Sequence, residues 1–171
     1  MKRIFLAAFS GILLFTAGGI AATGSTLEGQ VRHRLVMLPR YGVFDDIAFK
    51  VDGGTVTLMG QVAEPVLKDD ATRTLSRVEG IERVVNNIEV LPLSPFDDSL
   101  RRAVYRAVYR DPNFAGRYGL SAVPSIHIIV KNGNVELAGV VANEFDRRLA
   151  GMRANGVFGA FSVVNDLRIE N

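Results

Sequence analysis

Beyond its first two dozen residues the chain switches between two hydrophobic rhythms. Leu27, Val31, Leu35 and Leu38 recur at helical spacing. Ser25-Thr26-Leu27-Glu28 resembles a capping box that opens this helix, and Pro39 stops it. Residues 47–51 and 55–62 then alternate apolar and polar about Asp52-Gly53-Gly54, the pattern of a hairpin. Pro65 falls in the first turn of a second helix, in which Val66, Ala71, Leu75 and Val78 keep helical spacing and which Gly80 is expected to end. Residues 84–90 predict a third strand. The order is α-β-β-α-β, and such a unit buries its apolar faces by laying two helices on one face of a three-stranded sheet.

The same pattern then recurs. A shift of 79 positions superposes residues 47–90 on 126–169 without a gap, aligning Gly54 with Gly133, Gly60 with Gly139 and Gly80 with Gly159. Val51/Val130, Leu58/Leu137, Val62/Val141 and Ala71/Ala150 are identical pairs, and Val84-Val85-Asn86 returns as Val163-Val164-Asn165. Upstream the shift is 73, aligning Leu27 with Leu100 and Pro39 with Pro112, so the second copy carries six extra residues before its hairpin. Its first helix opens at Ser94-Pro95-Phe96-Asp97. Asn132-Gly133 signals a type I′ turn, and Asn143 can cap its second helix. The fold class expected is α+β, two tandem α-β-β-α-β modules. They occupy residues 25–91 and 96–171, joined by a short, stiff proline-containing linker at 92–95 that brings the copies into contact.

Residues 1–24 read as a cleavable export signal: Lys2 and Arg3, an apolar run, then small residues at Ala17, Gly18, Gly19, Ala21 and Ala22. The apolar run is short for a membrane span. The chain has 20 Lys plus Arg against 18 Asp plus Glu, so without Lys2 and Arg3 the charge is balanced. Affinity for an anionic partner must therefore come from charge placement. With no cysteine there is no disulfide, thiolate nucleophile or lipoprotein acylation site.

These motifs resemble tandem BON domains, the family of two-domain, osmotically inducible periplasmic proteins. The resemblance rests on the glycine inside the second strand (Gly60, Gly139). It rests also on Val78-Glu79-Gly80-Ile81 leading into Val84-Val85-Asn86-Asn87-Ile88, and on Val157-Phe158-Gly159-Ala160 leading into Val163-Val164-Asn165-Asp166-Leu167. The longer approach to the second hairpin, around residues 113–123, departs from the family pattern. The resemblance implies a periplasmic protein that associates with phospholipid and supports the envelope under stress. It implies no catalytic residues and no cofactor.

The residues themselves point the same way. His33 lies on the polar side of the first helix, and alternation sets His127 opposite Ile126 and Ile128, so both are expected at the solvated surface. Asp45-Asp46, Asp69-Asp70 and Asp97-Asp98 sit at element ends, where acids cap or solvate. The carboxylates are not gathered into an oxygen cage, which disfavours a small-cation sensor, a weaker alternative that some family members suggest. Balanced charge and the absence of a recognised motif argue against nucleic acid.

Binding candidates lie where the copies differ. On the helix after Ser94, Leu100, Ala103, Val104, Ala107 and Val108 form the expected buried stripe, and Tyr105 and Tyr109 are expected to point away from it, ringed by Arg101, Arg102, Arg106 and Arg110. Tyrosine ringed by arginine suits an anionic membrane interface, or alternatively a protein partner or a second copy. Phe158 and Phe161 replace Glu79 and Glu82 of the first copy, giving an apolar tip that either meets lipid or packs between the modules, the latter favoured by the short linker.

Overall fold

The computed structural model describes residues 26–120 and 123–170; the export signal read at 1–24 lies outside them. Thr26 caps α1 (Leu27–Val36), its side chain accepting a hydrogen bond from the Gly29 amide. β1 (Asp46–Asp52) and β2 (Thr55–Val62) form an antiparallel hairpin. α2 (Pro65–Leu75) begins on proline at its first turn and ends at Leu75; Gly80 lies beyond it, in the turn before the next strand. The predicted third strand is broken into β3 (Arg83–Asn86) and β4 (Glu89–Val90), both parallel to β2, so the sheet stays three strands wide with β2 central.

The break has a local cause in Asn86. Its amide group donates to the Lys68 carbonyl (2.8 Å) and to Thr72 Oγ1 (2.7 Å) on α2, while its carbonyl accepts from the Ile88 amide (3.0 Å). A side chain that bonds its own backbone two residues on competes with the strand ladder. Here it also bolts the strand to the helix above it. Asn165 does the same in the second module, donating to the Arg147 carbonyl at 2.8 Å.

The second module repeats the order with α3 (Pro95–Tyr109), β5 (Ile126–Lys131), β6 (Asn134–Val141), α5 (Glu144–Asn155), β7 (Ser162–Asn165) and β8 (Arg168–Ile169). Its six extra residues fold into something new. A short turn of helix, α4 (Pro112–Ala115), buries Phe114 completely in the second core, with Tyr118 beside it. The Tyr118 hydroxyl donates to Asp146 (2.6 Å) and accepts from the Ala142 amide (2.8 Å). The insertion thus supplies aromatic volume to the core.

Each module has its own core. Val31, Leu35, Val56, Leu58, Leu67, Ala71, Leu75 and Ile88 fill the first; Leu100, Val104, Val108, Phe114, Ile126, Ile128, Leu137 and Ala150 are among those filling the second. Fully burying each large side chain contributes roughly 1.5–3 kcal/mol. Gly60 and Gly139 let the hairpins close: at φ 105° and 113°, a Cβ would lie 2.2 Å from the Asp46 carbonyl oxygen and 2.0 Å from that of Ser125.

The modules also meet. Residues 41–44 of the first lie along the outer edge of β5, where the Val43 carbonyl accepts from the Ile128 amide at 2.7 Å. Val43 and Phe44 pack against the second core. Tyr41 lies against His127, whose Nδ1 is 3.2 Å from the Gly42 carbonyl, and Lys131 pairs with Glu89 at 2.6 Å. His127 is therefore buried, at 8% exposure, which corrects the solvated position expected for it. Strand alternation put it on the open face of its own sheet, as read, but the first module covers that face. His33 is exposed.

Candidate binding surface

The stripe Arg101, Tyr105, Tyr109 runs along α3 at four-residue spacing, and α3 lies along β5. Eight residues of helix rise about 12 Å. Four residues of strand span about 13 Å. Arg101 consequently reaches the Val130 carbonyl with Nη2 (2.7 Å), and the Tyr109 hydroxyl reaches that of Ile126. An edge strand presents unpaired backbone groups that invite foreign strands. Here Arg101, Val43 and Tyr109 engage β5 at alternate residues 130, 128 and 126.

This corrects two of the residues expected on an outward face. Arg101 and Tyr109 are 4% and 5% exposed, and burial pushes the Tyr109 phenol far above its usual range. Arg101 also pairs with Asp98. Tyr105 is only part-exposed, stacked on Tyr109 at 4.9 Å and edge-on to Phe44 of the first module at 6.2 Å. Pointing away from the helix stripe did not mean pointing to water, because the sheet edge and the first module lie on that side.

Arg102, Arg106 and Arg110 do face solvent. Among the described residues none of the three has a carboxylate partner; Arg102 donates only to Ser99 Oγ. Arg106 and Arg110 line a groove of about 420 Å³ between α3 and α5, together with Ala107, Asp111, Pro112, Met152, Arg153 and Gly156. The Asp111 carboxylate there accepts from the Asn113 amide and from Arg153 Nε (2.7 Å). These contacts, the Asn113 amide foremost, hold it below the usual carboxylate range.

The apolar tip stands at the other end of α3. Phe158 is fully exposed and Phe161 is 75% exposed, which corrects the expectation that they pack between the modules. Phe161 stacks on Phe96, the second residue of α3, at 5.9 Å. Gly159 lies beneath Phe96, and Gly80 beneath Leu27 in the first module.

Of the acids expected to cap or solvate, Asp45 and Asp97 serve the backbone, while Asp70 and Asp98 pair with Arg73 and Arg101. Asp45 accepts from the Gly42 and Ala63 amides (3.1 and 2.8 Å), and Asp97 from those of Asn132 and Gly133 (2.9 and 2.8 Å), which holds the β5–β6 turn. Burial raises the Asp45 carboxyl above its ordinary value. Among the described residues no three His, Asp or Glu side chains converge as a metal site, and no helix is long and apolar enough to cross a membrane.

Phe96, Phe145, Met152 and Arg153 were missed as surface candidates. Three of them carried a signal in the repeat: the first module has Val66, Arg73 and Thr74 where the second has Phe145, Met152 and Arg153.

No curated protein sequence matches the chain. Two solved structures of CdsD, a structural protein of the type III secretion system of Chlamydia trachomatis, are similar to it, one of them the C-terminal domain. Identity is 13% and 12%, and each comparison covers 82% of this chain and 96% or 92% of the other, with a TM-score of 0.27. The BON domain profile matches residues 23–92 and again 96–171, and the chain therefore belongs to the BON domain family, with two tandem copies.

Proposed function

We propose that the protein is a non-enzymatic component of the periplasmic envelope that docks weakly on anionic phospholipid through its second BON domain. The observation that carries this reading is the pairing of unneutralised cations with exposed rings on one module. Arg102, Arg106 and Arg110 run down α3 without carboxylate partners, and Phe96, Phe158 and Phe161 stand bare at its start. Guanidinium groups pair with phosphates, and apolar rings settle at headgroup depth. Each cation near an anionic surface contributes on the order of 1 kcal/mol, so three give weak, salt-sensitive attachment. Arg101 and Tyr109, being committed to β5, take no part, and Tyr105 contributes only its exposed edge.

Vesicle co-sedimentation at low and high salt tests the reading. Binding to phosphatidylglycerol vesicles, absent with phosphatidylcholine, is expected to fall with salt as the exposed charges are screened. It is expected to be lost in Arg102→Glu/Arg106→Glu and weakened in Phe158→Ser/Phe161→Ser. Salt-independent capture of protein with no vesicle binding would favour the second reading, a protein-interaction or self-assembly module using the same helix, to which the stacked Phe96–Phe161 pair is equally suited.

A further inference from the structure

The groove between the C-terminal ends of α3 and α5 has a composition that the rest of the helical layer lacks. Arg106 and Arg110 on one wall and Arg153 on the other face a single acid, Asp111, and Asp111 is already engaged by Arg153 Nε and by Asn113. The groove therefore carries an excess of two positive charges. The ends of the two helices favour cations through their dipoles, which accounts for the charge but not for donors left unused. Each guanidinium offers five N–H groups, and those of Arg106 and Arg110 meet no acceptor among the described residues.

The apolar side of the groove is equally particular. Met152 lines it and is 62% exposed. Phe145, seven residues earlier and so on the same line of α5, is also 62% exposed. The first module has His33, Met37 and Thr74 at the three arginine positions, and Val66 and Arg73 along the apolar line. It offers neither the cation cluster nor the ridge.

We propose that this groove seats the phosphodiester of one anionic phospholipid, gripped by Arg106, Arg110 and Arg153, with Met152 against the glycerol and acyl chains and Phe145 resting in the interface. α5 then shares the membrane contact with α3. The assignment rests on the lipid-docking reading above and narrows it to a particular seat. A phosphodiester brings one negative charge to a groove with two to spare, and the apolar line beside it separates a lipid from a free anion.

The test uses the intact two-module chain. Dihexanoylphosphatidylglycerol below its critical micelle concentration, and separately inorganic phosphate, are titrated into 15N-labelled protein, and vesicle binding is measured for Arg106→Gln/Arg110→Gln and for Met152→Gln. All three substituted side chains are exposed or at the groove rim, so the fold is not at stake. The expected result is saturable shifts at the Ala107 and Gly156 amides with the short-chain lipid, much weaker ones with phosphate, and vesicle affinity reduced at least tenfold in the double arginine variant. If the wild type binds vesicles while both variants bind equally well, the seat is wrong and the docking reading stands. If phosphate binds as tightly as the lipid, the groove is a free-anion site and the lipid assignment is overturned. If the wild type binds no vesicle, both readings go together.

Discussion

Tyr109 shows how one side chain separates structure from recognition. Its ring completes the second core, and its hydroxyl is the acceptor-seeking end of a β-edge cap on the Ile126 carbonyl. In Tyr109→Phe the ring remains and the carbonyl is left buried without that partner, which costs about 1–3 kcal/mol. Urea unfolding is expected to show that loss while vesicle affinity stays at the wild-type value. Unchanged stability with lost affinity would return Tyr109 to the binding surface. Arg101 belongs to the same edge, so the arginines of α3 divide by neighbour rather than by residue type: one caps a strand and three face water.

Among the elements, the Val-Val-Asn motif does the most to define the module. Asn86 ties β3 to α2 through Lys68 and Thr72 and releases the chain into β4, and Asn165 is its counterpart under α5. In Asn86→Ala three hydrogen bonds go and the Lys68 carbonyl loses its strand-side partner. Because the site is only part-buried, water recovers some of this, and a loss of about 1–2 kcal/mol is expected in thermal or urea unfolding. Amide exchange at Ile88 and Val90 should quicken, and exchange unaltered there would mean that the asparagine merely fills space. The helices, the hairpins and the α+β class were legible from periodicity, since helix and strand spacing are local properties of the chain. The strand break was not, although Asn86-Asn87 marks it in the sequence: the valines on either side were read as one run, and what the asparagine does, bonding the Ile88 amide and reaching Lys68 on α2, shows only in the structure. The α3 face was misread for the same reason: a helical wheel knows which side is apolar, but not that a sheet edge and residues 41–44 lie against the other. The insertion likewise gave no sign that Phe114 turns inward.

On the scale of the whole molecule, α1 and the outer strand β1 of the first module face the second sheet across a cleft, and its charges come from both modules. Glu28, Arg32 and Asp46 line it from the first; Glu136, Asp166 and Arg168 line it from the second. Burial, with Asp166 and then Asp46 nearby, raises the Glu136 carboxyl above its ordinary value of 4.5. A raised carboxyl means that the folded chain holds the proton more tightly than the unfolded one. Glu136 therefore does not penalise the fold well below its ordinary value, and stability is lost as pH rises through that value to the raised one. Glu136→Gln keeps the shape and removes the titration. Urea unfolding at pH 7 should find the variant more stable than the wild type, by less than about 1 kcal/mol because the group is largely solvated. The gap should close as the pH falls well below 4.5. A difference of constant size across that range would assign the effect to packing rather than charge. A gap that closes would show that the charged form of Glu136 is disfavoured in the folded chain, by burial first, then by Asp166 of its own module and last by Asp46 across the cleft.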